Sequence, residues 1–432
     1  MQVNLSKKHK NKAFANKNDK AIFLFFGLAL WMFVPILGIF PLLYFIHLNR
    51  KPNSKLNLLL ILLVILTNTI FVSSLDVISD LAVYTANYER LDGNNPFEIS
   101  GEQGVEFVLW LLSYPVFLIS NGSKYAFIFF WSFFFNAVTF LVIAKKLSPQ
   151  NYALLSMFII ATPGFLDIQG FFVRQYIATV IFLVAVVYAE KKLVMWGVYI
   201  FSLCTHFANI IYLGVLFVYD KAKFLRRKYV KIIIFAAGLF LPFSNAILLR
   251  FVFLVVRFMP AKYAAIIIAK TQSYANIRSS QSSFGVPFLE GFVIFCIIMF
   301  LLKEKKFETP TEKLLLFLHP ILLFLMFIGR DIHHFSYRFA FVLYTFGGLF
   351  YYFLIEYKWK GFKKEILPSM LFLKILFFCY FLYNINSGNN PFHYLDDEVF
   401  SSSVFDYIQI AHDGFTYDIE IENLPNRTIR LD

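Results

Sequence analysis

Apolar and polar positions in this chain segregate into long apolar runs divided by short polar loops. The first run spans about 21–48, and others follow near 56–74, 105–120, 123–144, 151–166, 171–189, 193–218 and 230–256. Four more lie near 286–302, 314–329, 335–355 and 366–386. A helix needs roughly 20 mostly apolar residues to cross a hydrocarbon core of about 30 Å. Where water is absent, only helices and closed barrels satisfy their own backbone polar groups. The pattern predicts an all-α polytopic integral membrane protein with about 10–13 transmembrane helices, some of them broken or re-entrant.

Composition agrees: 59% of the 432 residues are hydrophobic and 16% are charged, more apolar surface than a water-soluble domain can hide. The 57 phenylalanines carry no functional weight, because on a lipid-facing helix Phe is one more apolar side chain. Cys204, Cys296 and Cys379 each stand alone in an apolar stretch; neither a disulfide framework nor a zinc site is indicated.

Charge orients the runs. Lys and Arg in short loops are retained in the cytoplasm. The segments 1–20, 49–55, 145–146, 190–192, 220–231, 303–313 and 356–365 hold 27 of the 40 basic residues and are expected to face inward. The loop 75–103 has six acids, Asp76, Asp80, Glu89, Asp92, Glu98 and Glu102, against Arg90 alone, and is expected outside. So is the tail 387–432, with nine acids against Arg427 and Arg430. This polarity and anionic lipid account for the net charge of +13, and nucleic-acid binding gains no support.

The basic segment 1–20 could introduce a signal peptide, but the apolar run after it is about twice the length of a signal-peptide core and lacks a small-residue cleavage site. It is expected to stay in the membrane. With no internal repeat or low-complexity linker, residues 21–386 form one expected membrane domain, with outward loops near 75–103 and 257–285.

In two places, 21–48 and 193–218, a single run is enclosed by basic loops that belong on one side. Each is expected to fold back as a broken or re-entrant hairpin. Pro35, Gly38 and Pro41 interrupt the first, and Cys204-Thr205-His206 places a polar kink in the second. Halves of about 12 residues are only about 18 Å long. The run 105–120 is expected to be re-entrant or interfacial, starting and ending outside.

Ionisable side chains in membrane segments are costly, so each is a functional candidate. Asp80, Tyr84 and Tyr88 share one face if their stretch is helical, and Glu106 opens the next apolar run. An Arg174-Gln175 pair stands where a helix enters from outside, His206 sits between two apolar halves, and Arg330, His333, His334, Tyr337 and Arg338 crowd a later outward turn.

Asp-x-x-x-Tyr (Asp80, Tyr84), an acid and aromatic (Glu106-Phe107), Arg-Gln-x-Ile-Ala (Arg174 to Ala178) and a lone mid-membrane His206 occur in that order. Over about 56–220 this resembles the EpsG family of Wzy-type exopolysaccharide and O-antigen polymerases, with Arg338 before aromatics similar to a later family arginine. Where the family has Gly-Thr-Asp in the first loop, this chain has Ile78-Ser79-Asp80. The resemblance implies a bacterial inner-membrane enzyme, N-terminus in the cytoplasm, joining undecaprenyl-diphosphate-linked repeat units on the periplasmic side. It would build O-antigen, capsule or exopolysaccharide, with membrane lipid and a chain-length regulator as further partners.

Independent chemistry points the same way. A departing diphosphate needs fixed positive charge, and the forked donors of guanidinium match phosphate oxygens, so Arg174, Arg330 and Arg338 are the diphosphate-binding candidates. A sugar hydroxyl needs a base within hydrogen-bond reach, a role for which His206, Asp80 and Glu106 compete. Gln175, Tyr84, Tyr88 and Tyr337 are the substrate-positioning candidates, the aromatic rings packing on sugar faces. No Asp-x-Asp, Walker or HExxH pattern lies in an outward loop, so neither a metal nor another cofactor is expected.

Plainer readings stand beside these. Arg174 anchors a helix end at the headgroups, His206 is a hydrogen-bonded packing residue, Asp80 and Glu106 are solvated loop acids, and Lys374 snorkels or is paired. Alternative activities are a flippase or exporter of the lipid-linked glycan, a membrane O-acyltransferase, or an O-antigen ligase. A transporter should carry inverted repeats and midplane charges, which this pattern lacks.

Overall fold

The computed structural model describes residues 17–51, 53–75, 77, 79–93, 95–97, 107–171, 173–221, 223–240, 286–301, 307–328, 340–356, 360–386 and 400–417, with scattered positions between 250 and 272. These are helical, with short turns and no strand among them, so the all-α membrane class holds. Four helices are long and apolar enough to cross a membrane, or five if a bent pair counts as one span. Seven other apolar helices have only 10–17 residues. The 10–13 helices expected therefore divide into a few full-length spans and many short pieces.

The first run does break. Helix α1 (Lys17–Phe33) and helix α2 (Pro35–Asn49) meet at Val34, which has φ −141° and ψ 79°. Pro35 pushes the residue before it out of the helical region and brings no N–H of its own. The two helices run antiparallel: a Cβ on Gly27 would meet Leu42, one on Gly38 would lie 2.3 Å from Trp31 Cα, and the Phe23 and Tyr44 rings are 4.7 Å apart. Small residues let the backbones approach this closely. The Trp31 indole donates to Thr67 Oγ1 at 2.8 Å, docking the hairpin on α3 (Lys55–Ser73).

After α4 (Ser79–Glu89) and α5 (Val108–Ser120), Asn121 (φ 55°) and Gly122 (φ 83°) turn the chain into α6 (Lys124–Leu147). Ser123 caps α6 by accepting from the Ala126 N–H at 3.2 Å. A π-helical stretch, Val138–Ala144, runs through its second half. Helix α7 (Tyr152–Ile160) and α8 (Pro163–Phe171) are bent by 88° about a break at Ala161-Thr162, where Pro163 opens the second helix.

Helix α9 (Val173–Val187) pairs with α10 (Lys192–Thr205), and α10 ends at His206. The chain then turns through 207–209 and returns as α11 (Ile210–Lys221). Lys192 Nζ lies 3.9 Å from Asp220, so the run starts and finishes at one end, with His206 at the opposite tip. Both expected hairpins thus fold back on themselves.

The later helices are α12 (Lys228–Phe240), α13 (Val286–Cys296), α14 (Pro310–Ile328), α15 (Phe341–Glu356) and α16 (Lys360–Asn386). Basic loops gather at one end of the bundle. Lys146 lies over the Tyr188 ring at 5.6 Å, Thr311 Oγ1 donates to Val187 O at 3.3 Å, and Tyr352 donates to Glu312 at 2.7 Å. Ser148 and Asn151 both donate to Glu356. Helix direction therefore sends Arg174, near the start of α9, and His206 to the opposite end.

Many phenylalanines face inward rather than toward lipid. Phe127, Phe158, Phe165, Phe182, Phe350 and Phe353 are fully buried, and Phe158 stacks on Tyr351 with centroids 4.1 Å apart. Aromatic pairs of this kind fill the gaps between short helices.

A last helix, α17 (Val404–Tyr417), docks where α3 and α6 meet: Phe415 packs edge-on against Tyr125 at 4.9 Å, and a Cβ on Gly414 would strike that ring. Ser403 donates to the Asp406 carboxylate from its backbone N–H (2.5 Å) and hydroxyl (2.7 Å), closing a reciprocal cap. Those donors hold the Asp406 carboxyl below the usual carboxylate range. A depressed carboxyl pKa adds stability above the unfolded value and loses it as pH falls through the folded one. Hydrogen exchange in 404–417 is expected to rise on acidification through that window, and Ser403→Ala, which removes the hydroxyl and keeps the backbone N–H, to shrink the acid step; an undiminished step in the variant would exclude the hydroxyl from this cap. The carboxyl is exposed, so the effect is confined to α17.

Candidate functional site

The end of the bundle away from the basic loops brings α4, α9 and the His206 tip together. Ser202 Oγ, on α10, donates to Ala178 O, on α9, at 2.7 Å. Because these helices are antiparallel, Arg174 lies one turn before that bond and His206 one turn after it, both toward the same end. The tip is held firmly. Asn209 Nδ2 donates to Ser202 Oγ at 2.8 Å, the Tyr199 hydroxyl donates to Asn209 O at 2.8 Å, and the His206 N–H donates to Ser202 O at 3.1 Å.

Arg174 is half-buried and its guanidinium sits over the Tyr84 ring, 5.0 Å from the centroid. A cation over an aromatic face is favourable by about 0.5–2 kcal/mol, and the ring fixes where the fork of donors points. Gln175, next in sequence, is buried on the bundle side.

The Asp80, Tyr84 and Tyr88 stretch is helical, as its spacing predicts, but the three residues do different things. Tyr84 meets Arg174. Tyr88 is fully buried between Phe117 (5.3 Å) and Phe127 (4.7 Å), and its hydroxyl shares a hydrogen bond with Ser120 Oγ at 3.3 Å. Lys124 pairs with Glu89 at 2.5 Å and holds the far end of α4 to α6. Asp80, one turn before Tyr84, is half-buried. Glu106, Arg330, Tyr337, Arg338, His333 and His334 lie outside the described residues.

Beneath this surface lies a polar network that chain order alone does not disclose. Gln169 Oε1 accepts from Ser132 Oγ and from Asn136 Nδ2, both at 3.2 Å, while its Nε2 donates to Phe165 O at 2.7 Å. The Tyr176 hydroxyl also donates to Phe165 O at 2.8 Å, and Asn68 Nδ2 donates to Asn136 Oδ1 at 3.4 Å. All of these side chains are buried. The network ties α3, α6 and α8 to α9 two residues from Arg174. In a low-dielectric interior such a network rigidifies its helices.

A second buried group joins Glu290 of α13 to Lys374 of α16. Lys374 is paired, one of its two expected states. Sequence reasoning missed Glu290; as the lone acid of its apolar run it could have been read as needing a basic partner in another run. Among the described residues no group of three His, Cys, Asp or Glu is placed to hold a metal ion.

The family profile described as EpsG family matches residues 74–396. The chain belongs to the EpsG family. Its members are Wzy-type polymerase-like proteins of exopolysaccharide biosynthesis. The match starts just before α4, later than the 56 at which the resemblance was expected to begin, and runs through α16, well beyond 220, so both the Arg174 site and the Glu290–Lys374 pair fall within it. No curated protein and no solved structure matches the chain.

Proposed function

We propose that this EpsG-family protein is a polysaccharide polymerase of the bacterial inner membrane. It joins undecaprenyl-diphosphate-linked repeat units at the periplasmic face, with the basic end of the bundle in the cytoplasm. The observation that carries this reading is the Arg174 guanidinium held over Tyr84 at the end opposite the basic loops, with His206 at the same end.

A hydroxyl of the acceptor glycan attacks the anomeric carbon of the donor. As that carbon–oxygen bond forms, the bond from the anomeric carbon to the phosphate oxygen breaks and the lipid diphosphate departs. Charge on the leaving group grows in the transition state, where a preorganised guanidinium is most useful. The hydroxyl proton passes to a base, for which His206 and Asp80 are the candidates within the described structure. The donor already carries its activated bond, so this scheme needs no nucleotide-sugar donor or metal.

The test is the cell-surface glycan ladder, resolved by gel, in a strain lacking this protein and complemented with wild type, His206→Ala or Asp80→Asn at equal membrane abundance. Loss of the protein is expected to leave a single repeat unit in place of the ladder, and the variant of the true base to leave it unrestored. Long chains persisting in the null strain would exclude polymerisation and favour transport or modification of the same glycan.

A further inference from the structure

Glu290 and Lys374 meet in the bundle interior, with side chains only 11% and 8% exposed. Taking two charges out of water is costly, and a well-packed apolar pair is often as stable or more so. Stability alone therefore gives no reason for this pair, and its other contacts indicate what it does. Lys374 Nζ also donates to Thr162 Oγ1 at 3.2 Å and lies 5.2 Å from the Tyr351 ring centre, while the Tyr351 hydroxyl donates to Glu290.

Thr162 is the residue at the α7–α8 break. Its hydroxyl donates to Phe158 O at 3.1 Å and accepts from both Lys374 and the Gly348 N–H, the latter at 3.0 Å. One hydroxyl thus fastens the start of α8 to α7, α15 and α16. Seven residues on, the same short helix carries Gln169, and its Phe165 carbonyl accepts from Tyr176 next to Arg174.

We propose that the Glu290–Lys374 pair is a positioning element for the arginine site: through Thr162 it sets the placement of α8, and through Gln169 and Tyr176 the placement of Arg174. The pair touches no reacting atom. Its effect on chemistry rests on the polymerase reading, because displacing a catalytic group by about 1 Å can cost about 10²-fold in rate.

Two sets of variants test it in the full-length protein in detergent or nanodiscs. The first is the double variant Glu290→Met with Lys374→Met, which removes both charges. The second is Thr162→Val, which leaves the pair and removes the hydroxyl it holds, with Thr162→Ser as the conservative rescue.

Amide hydrogen exchange is read over 164–171 and over α3. The expected result is exchange faster by about tenfold or more in α8 and unchanged in α3 for the double variant and Thr162→Val, with wild-type exchange in Thr162→Ser. Elongation should fall about 10- to 100-fold in parallel. Wild-type exchange in α8 of Thr162→Val would overturn the proposal even if the double variant failed to fold, as would equal loosening of α3 and α8. The exchange result stands whatever reaction the protein performs. Failure of the polymerase reading would show separately, as long glycan chains persisting in a strain that lacks the protein.

Discussion

Arg174→Ala is expected to abolish the long-chain ladder while the protein reaches wild-type membrane abundance. Arg174 is half-buried at the end of a helix pair whose register is set elsewhere, by the Ser202 bond to Ala178 and the Gln169 network, so its loss leaves the packing of α9 in place. Removing one preorganised donor from a site of developing negative charge costs roughly 10²–10³-fold in rate, and a guanidinium supplies a fork of them. Arg174→Lys should recover only part of this, because ammonium keeps the charge and loses the planar, paired donors. Tyr84→Phe retains the ring face and should elongate faster than Tyr84→Leu, which removes it. The measurement is chain length and elongation rate with purified protein and lipid-linked repeat units. Wild-type elongation by Arg174→Ala would remove this arginine from the mechanism.

The second large effect is on folding. A Cβ on Gly348 would lie 2.0 Å from Phe158 O and 2.3 Å from its carbonyl carbon. Those are backbone atoms of α7 and cannot swing aside as a side chain would. Gly348→Ala must push α15 off α7, breaking the bond from the Gly348 N–H to Thr162 and the Phe158–Tyr351 stack together. Overpacking alone typically costs about 1–3 kcal/mol, and the lost bond adds about 1 kcal/mol. Detergent-solubilised Gly348→Ala is expected to melt well below wild type and to lose the monodisperse peak in size-exclusion chromatography. Gly197→Ala, with nothing within 4 Å of the new Cβ, is the control and should behave as wild type. An unchanged melting temperature in Gly348→Ala would show that the α7–α15 contact is looser than described.

The sequence by itself determined the class of the molecule and much of its layout. The bilayer acts on each segment separately: a run must be apolar, its ends must be placed by charge, and a run enclosed by basic loops on both sides must turn back. Those are local demands, and they made the membrane bundle and both hairpins, with breaks at Val34-Pro35 and His206, legible from chain order. The helical spacing of Asp80, Tyr84 and Tyr88 was legible for the same reason. Only the tertiary structure decided which face of each helix meets which neighbour. Tyr84 and Tyr88 are equivalent in sequence, yet one meets Arg174 and the other fills an aromatic pocket. Lys374 and Thr162 are 212 positions apart, and no periodicity joins them. In a membrane an apolar side chain satisfies lipid and protein interior alike, so hydropathy leaves helix rotation and partner open; the close approaches at Gly38 and Gly348 and the buried hydrogen bonds of Gln169 and Thr162 settle them.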